Sequence, residues 1–242
     1  MRIGVIIQAR MGSTRFSGKV LKEIKGKTVL QHVIKRAQQS NLIDMIVIAT
    51  TTNERDSAIV NEAQKLGIKV FRGSEDDVLS RYYYVAKENE VDIIIRITSD
   101  CPLIDPRVLD DVITCYLEGN YDIVSNAGPN ISQRTFPRGL DAEVFSFNVL
   151  KDAFRNAKER YQREHVTPYI YESSKKVFYF KNDVDYSKYR WTLDTEEDFE
   201  LIQLVYEKLY DGKHDFYLDD IIKLFKKTPE LYEINAHIEQ KN

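Results

Sequence analysis

Four short, almost uninterrupted apolar runs punctuate the first hundred residues of this chain. They are Arg2-Ile3-Gly4-Val5-Ile6-Ile7, Met45-Ile46-Val47-Ile48-Ala49, Ile68-Lys69-Val70-Phe71 and Asp92-Ile93-Ile94-Ile95-Arg96-Ile97. Runs this short and this apolar read as strands covered on both faces. Between them apolar residues return at helical spacing. Thr28 predicts a cap for a helix through Ala37, a second helix is capped near Asn53, and a third spans Val78 to Lys87. Asp105 followed by Pro106 opens a fourth, which ends near Leu117. Such alternation demands right-handed crossovers and a parallel sheet. The expected fold class is α/β, a mostly parallel sheet flanked by helices.

Past residue 125 the pattern changes. Residues 126–139 read as a polar loop carrying Gly128-Pro129-Asn130 and Pro137-Arg138-Gly139. The segment Leu140 to Phe145 alternates apolar and acidic side chains, which predicts a strand with one wet, acidic face. Helices are expected at 148–157 and 164–172, strands at 176–181 and near Arg190-Trp191, and further helices from Glu196 and Tyr217. No internal repeat or flexible linker separates the parts. Residues 1–242 are therefore expected to form a single domain, with a nucleotide-binding half (1–125) and a mixed second half (126–242) that binds an acceptor and supports oligomerisation.

The opening strand runs into a basic, glycine-punctuated loop, Gln8-Ala9-Arg10-Met11-Gly12-Ser13-Thr14-Arg15-Phe16-Ser17-Gly18-Lys19. Open α/β sheets bind ligands at that end of a strand. Three cations (Arg10, Arg15, Lys19), hydroxyls and glycines suit a polyphosphate. A net charge of -3 and a pI near 5.9 make this loop a local concentration of positive charge. The same balance argues against a nucleic-acid or anionic-membrane partner. No segment approaches the roughly 20 apolar residues of a membrane span, and the first apolar run is too short for a signal peptide. The two cysteines, Cys101 and Cys115, share no metal-ligand spacing with the four histidines. A cytoplasmic, reduced location is expected.

The loop is neither of the common nucleotide motifs. Gly18-Lys19 is followed by Val20 where a Walker motif needs Ser or Thr, and no G-x-G-x-x-G is present. Two aspartates stand at the ends of apolar segments, Asp100 in Thr98-Ser99-Asp100-Cys101-Pro102 and Asp194 in Trp191-Thr192-Leu193-Asp194. A hard cation carrying phosphates needs one or two such carboxylates, although each motif taken alone reads as a turn or helix cap. The basic turn Arg134 to Gly139 leads into Asp141 and Glu143 and suits a polyhydroxylated or anionic acceptor, or else a solvated edge strand. His165, in Arg163-Glu164-His165-Val166-Thr167-Pro168, is the histidine in a polar, motif-like setting. The tyrosine cluster Tyr82-Tyr83-Tyr84 reads as core packing with a wet phenol end.

Taken in order, six segments resemble the cytidylyltransferase family of CMP-KDO synthetases and SpsF-like proteins of spore-coat and surface polysaccharide biosynthesis. They are Ile7 to Arg15 with Gly18-Lys19, Gly73 to Leu79, Thr98 to Pro102, Phe136 to Asp141, Arg163 to Pro168, and Arg190 to Asp194. The resemblance implies a nucleotide-diphospho-sugar transferase-like (Rossmann-type) fold and transfer of CMP from CTP to a small acceptor. It implies nucleotide binding by Gln8, Ala9, Arg10, Gly12, Ser13, Arg15, Lys19, Thr50, Thr51 and Thr98. By the same resemblance Arg10, Arg15, Lys19 and Asp100 are catalytic, Asp100 and Asp194 bind Mg²⁺, and Arg138, Gly139, Asp141, Glu143 and His165 face the acceptor. A homodimer is also implied. CMP-KDO synthetases carry a Gln-Gly-Asp-Glu-Pro-type segment where this chain has Thr98 to Pro102, so a base contact from that glutamine is missing here. A nucleotide-sugar-dependent glycosyltransferase of related fold is the alternative, but Asp100-Cys101-Pro102 lacks the D-x-D of that class. A second alternative is a nucleotide-binding scaffold without chemistry.

Overall fold

The computed structural model describes residues 1–13 and 15–239; Thr14 of the opening loop lies outside the described residues. The strands are β1 (Ile3–Gln8), β2 (Glu23–Ile24), β3 (Lys27–Thr28), β4 (Met45–Thr51), β5 (Lys69–Gly73), β6 (Ile93–Thr98), β7 (Ile123–Ser125), β8 (Glu143–Ser146) and β9 (Val177–Tyr179). The helices are α1 (Val29–Ala37), α2 (Ser57–Lys65), α3 (Val78–Glu88), α4 (Pro106–Glu118), α5 (Phe147–Asn156), α6 (Arg160–His165), α7 (Pro168–Ser173), α8 (Glu196–Leu209), α9 (Leu218–Lys227) and α10 (Glu230–Glu233). Strands β2 and β3 pair only with each other, and the rest form one seven-stranded sheet in the order β5-β4-β1-β6-β8-β7-β9.

The first four strands of that order are parallel, as expected. From β1 the chain builds outward through β4 and β5, then returns to place β6 on the other side of β1. The reversal falls between β1 and β6, where Gln8 sits beside Thr98. Loops after these two strands diverge there and leave a crevice. The fold thus puts the basic loop and Asp100 at one place.

Alternate side chains of the sheet feed two separate apolar layers. Val5, Ile7 and Ile95 pack with α1, α4, α8 and α9 on one face; Ile6, Val47 and Ile94 pack with α3, α5 and α7 on the other. Both faces of β1 are therefore dry, which is why its residues show no polar alternation. Two of the caps read from the sequence are present. Thr28 Oγ1 accepts from Gln31 N at 3.0 Å, and Asp105 Oδ1 accepts from Arg107 N at 2.8 Å beside Pro106.

Several expectations are corrected. The segment near Asn53 makes a 3-10 turn over Glu54–Asp56 before α2 starts at Ser57. Asp56 takes the N-cap position of that helix without a side-chain cap bond, and its carboxylate turns back to the opening loop. The acidic strand is shorter than expected and is not at an edge: β8 lies between β6 and β7, antiparallel to both, and Glu143 is 6% exposed. A partner arginine in β6 makes that burial tolerable. β7 is too short to have shown any periodicity. The helix expected over 164–172 breaks into α6 and α7, since Pro168 lacks an N–H and its ring would strike the carbonyl a turn earlier. The chain crosses the break in a tight γ-turn. Val166 sits at φ 73 and ψ -56, and Thr167 N donates to the His165 carbonyl at 2.9 Å. Near Arg190 the strand reduces to one bridge with Arg138. Tyr82 is fully buried, its hydroxyl donating to the Ile6 carbonyl at 3.2 Å, so that phenol end is dry. Among the described residues no helix is long and apolar enough to cross a membrane.

Two histidines join α1 to the α8–α9 connection. His32 Nε2 donates to the Ile24 carbonyl at 2.8 Å, which leaves its Nδ1 to accept from His214 Nε2 at 2.8 Å. Burial, opposed by the Ile24 bond and aided by Lys27 and Arg36, holds His32 down at about 4. Burial, helped by His32 and nearby cations, holds His214 at about 3. The unfolded chain takes up these protons near pH 6.5 and the folded one does not, so their contribution to stability is complete above that pH and declines below it. The urea midpoint is expected to fall between pH 6.5 and 4, and less steeply in His214→Gln. Parallel pH profiles for the two proteins would refute this role.

Candidate active site

The opening loop is held from below by a residue that the sequence did not single out. Asp56 is fully buried; its Oδ1 accepts from Met11 N at 2.7 Å and its Oδ2 from the Thr51 hydroxyl. This ties the start of the loop to β4. At the loop's end Gly18 adopts φ +67, a conformation glycine reaches without strain, and starts the short 3-10 turn that carries Lys19 inward.

Lys19 is 8% exposed, and its ammonium meets both aspartates. Nζ donates to Asp100 Oδ2 at 2.8 Å and to Asp194 Oδ1 at 2.8 Å. The carboxylates come from distant parts of the chain. Asp100 follows β6 and is fixed by the Thr98 hydroxyl, which donates to Oδ1 at 2.6 Å. Asp194 precedes α8, and the backbone bond from Leu193 N to the Asp100 carbonyl (2.8 Å) aligns the two segments. Asp194 Oδ2 also faces Arg15 at 3.0 Å and Arg190 at 2.8 Å. Arg190 is itself anchored on buried Asp198, which accepts from its Nε and from the Asp194 and Thr195 amides. Asp198 thus serves as helix cap and as support for Asp194.

Electrostatics at this node run against burial. Burial favours neutral Lys19, but Asp100 and Asp194 outweigh it and raise its pKa. Burial favours neutral Asp100, yet Lys19 and the Thr98 hydroxyl hold its pKa below the usual value. Both groups are therefore charged at neutral pH. A position flanked by the Asp100 and Asp194 carboxylates fits Mg²⁺, whose other ligands are commonly phosphate oxygens and waters. No group of three or more metal-binding side chains occurs among the described residues. The protein's own share of such a site is the pair Asp100 and Asp194.

Two clefts meet at this node. The smaller, about 290 Å³, is lined by Gln8, Ala9, Arg10, Gly12, Ser13, Arg15, Lys19, Thr98, Asp100 and Asp194, together with Val78 and Arg81 of α3. The larger, about 660 Å³, contains Arg138, Asp141, Glu143 and His165. Arg15, Thr98, Asp100, His165 and Asp194 belong to both walls. The structure therefore gathers most of the residues singled out in the sequence around one seam.

It does not bring all of them there. Thr50 and Thr51 are fully buried at the end of β4 and line neither cleft. Gly139 lines neither cleft; its φ of +99 and its approach to the Trp191 backbone shape the turn behind Arg138. A Cβ there would lie 2.5 Å from the Trp191 carbonyl carbon. Gly139→Ala is expected to cost about 1–3 kcal/mol of stability, measured by urea unfolding; an unchanged midpoint would refute the role. The acidic residues of the larger cleft are already paired. Asp141 takes two bonds from Arg134 (2.6 and 3.1 Å), and Glu143 takes Arg96 at 2.6 Å, the Thr167 hydroxyl at 3.0 Å and the Tyr171 hydroxyl at 2.8 Å. Arg138 forms no salt bridge among the described residues. Arg96 was the available signal for this arrangement, a guanidinium inside an otherwise apolar strand.

A family model described as cytidylyltransferase matches residues 4–240. The chain belongs to the cytidylyltransferase family. As a family member it is similar, at 41% identity over all of its length and 98% of the relative's, to an uncharacterised protein of Methanocaldococcus jannaschii. It is 35% identical to the spore coat polysaccharide biosynthesis protein SpsF of Bacillus subtilis, over 93% of this chain and 94% of that one. A solved cytidylyltransferase from Leptospira borgpetersenii superimposes with a TM-score of 0.90 at 35% identity, covering both chains completely. In this cytidylyltransferase the β8-β7-β9 edge extends the parallel half of the sheet, and the segment between β7 and β8 lines much of the larger cleft.

Proposed function

We propose that this chain transfers CMP from CTP to a sugar or phosphorylated acceptor in surface or spore-coat polysaccharide biosynthesis, with release of pyrophosphate. The supporting observation is the seam: one cleft lined with the basic loop and one with polar acceptor-type residues share Asp100 and Asp194. In this reading Arg10, Ser13, Arg15 and Lys19 grip the triphosphate. Arg15 and Lys19 neutralise charge that gathers on the departing pyrophosphate. Asp100 and Asp194 would hold Mg²⁺, which when bound offsets charge at the α-phosphate and makes a nearby hydroxyl more acidic.

The acceptor lies in the larger cleft, and its oxygen approaches the α-phosphorus from the side of His165. One oxygen–phosphorus bond forms as the bond to the β-phosphate oxygen breaks, and pyrophosphate leaves with that electron pair. An acceptor that is already a phosphate monoester brings an anionic oxygen. With a hydroxyl acceptor, the His165 imidazole, which lines both clefts, would take the proton. Catalysis of this kind is positioning and charge stabilisation, so it needs no covalent intermediate on the protein.

The test is a screen of purified protein with CTP, other triphosphates and nucleotide-sugars against phosphorylated and acidic sugars, with Mg²⁺ present and with pyrophosphate and nucleoside diphosphate as the readouts. Acceptor-dependent pyrophosphate release from CTP is expected. Release of nucleoside diphosphate from a nucleotide-sugar instead would establish glycosyl transfer and sink the proposal.

A further inference from the structure

Two polar groups of the smaller cleft have no partner among the described residues. Gln8 Oε1, on the last residue of β1, and Arg81 Nε, on the first turns of α3, are both shielded from solvent and unbonded. Arg81 is 2% exposed and spends one Nη on the Ser74 carbonyl at 2.6 Å. Both residues line the cleft. Buried polar atoms are almost always paired, and one that is not marks a place where something else completes the bond.

The pair is chemically selective. Arg81 can only donate, because a guanidinium has no acceptor atom. Gln8 Oε1 accepts. A phosphate group would satisfy Arg81 and offer nothing to Oε1. The phosphate grip is moreover accounted for by Lys19 and Arg15, which gather at Asp194. A pyrimidine ring edge, with a donor beside acceptors, satisfies both groups at once. The nearby wall supplies the apolar surfaces of Ala9 and Val78 on which a flat ring can rest.

We propose that Gln8 and Arg81 read the pairing edge of the nucleobase and select cytosine over uracil. Arg81 donates to N3, and Gln8 accepts from the 4-amino group. Uracil carries a hydrogen on N3, which would confront a guanidinium that cannot accept it, and its O4 would confront Oε1. A glutamine carboxamide can turn over; a guanidinium cannot, so Arg81 carries the discrimination. This assignment rests on CTP being the donor.

The test is equilibrium binding by calorimetry in Mg²⁺ buffer, and it needs no acceptor. The wild-type chain is expected to bind CTP at least about tenfold more tightly than UTP or 3-deaza-CTP, which lacks the N3 acceptor, as for loss of one hydrogen bond to a charged donor. Arg81→Met is expected to weaken CTP by about tenfold or more while changing UTP by less than about threefold, so that the preference collapses. Equal weakening of CTP and UTP would assign Arg81 to the phosphates and overturn the proposal. So would wild-type binding of CTP and 3-deaza-CTP with equal affinity, a result independent of whether the variant folds. A wild-type chain that binds another triphosphate and not CTP would overturn the donor reading itself.

Discussion

Replacing Asp100 with asparagine is expected to slow pyrophosphate release from CTP by about 10²–10³-fold, the loss that follows removal of one strong preorganised electrostatic contact. The carboxylate does two things at the seam. In the proposed mechanism it would offer a charged oxygen to Mg²⁺, and in the structure it holds one side of Lys19 at 2.8 Å. Asparagine keeps the shape and still accepts from the Thr98 hydroxyl, so the fold should survive. It removes the charge that keeps the Lys19 ammonium in place. Steady-state pyrophosphate release, with thermal melting as a folding control, decides the matter. A near-normal rate in a well-folded variant would move the catalytic centre away from this node.

The second large effect concerns stability. Glu143→Ala is expected to destabilise the chain by about 3–5 kcal/mol, the cost of leaving a buried charge without its partner. Arg96 lies within a sheet strand, and although burial favours its neutral form, Glu143 and neighbouring phenols drive its pKa upward. Deleting the glutamate strands that guanidinium and also frees the Thr167 and Tyr171 hydroxyls. Replacing both partners, as Arg96→Met with Glu143→Leu, should recover most of the loss, because apolar groups of similar volume need no compensation there. Urea unfolding measures both variants. A loss below about 1 kcal/mol would show that the pair behaves like a solvated one, leaving Glu143 free to serve an acceptor.

That result bears on how much of this molecule could be read in advance. Local signals were legible: Thr28, Asp105 with Pro106, and Thr195 mark helix starts because a cap needs only its own neighbours. The three loop cations and two strand-end aspartates were legible as chemistry, and the fold joins Lys19 to Asp100 and Asp194 across 81 and 175 residues. Glu143 was misread as facing solvent. Its partner Arg96 lies 47 residues away, and alternation along one short strand cannot say whether a charged face meets water or a buried guanidinium. Asp56 was not singled out, because its bonds to Met11 and Thr51 depend on how a loop folds back. Arg81 sat in a helical pattern rich in tyrosine and gave no sign that its guanidinium would be buried against a cleft.

The seam between the clefts has a consequence for how such proteins diversify. Only a narrow strip of wall is common to the two sides, and Gly128, Pro129, Pro168 and Glu172 border the larger cleft alone. In the proposed reading, substitution at those positions would change which acceptor fits without touching the residues assigned to the nucleotide. A lineage can exchange one product for another while its chemistry stays fixed. Selection for a new product and selection for turnover then act on different residues.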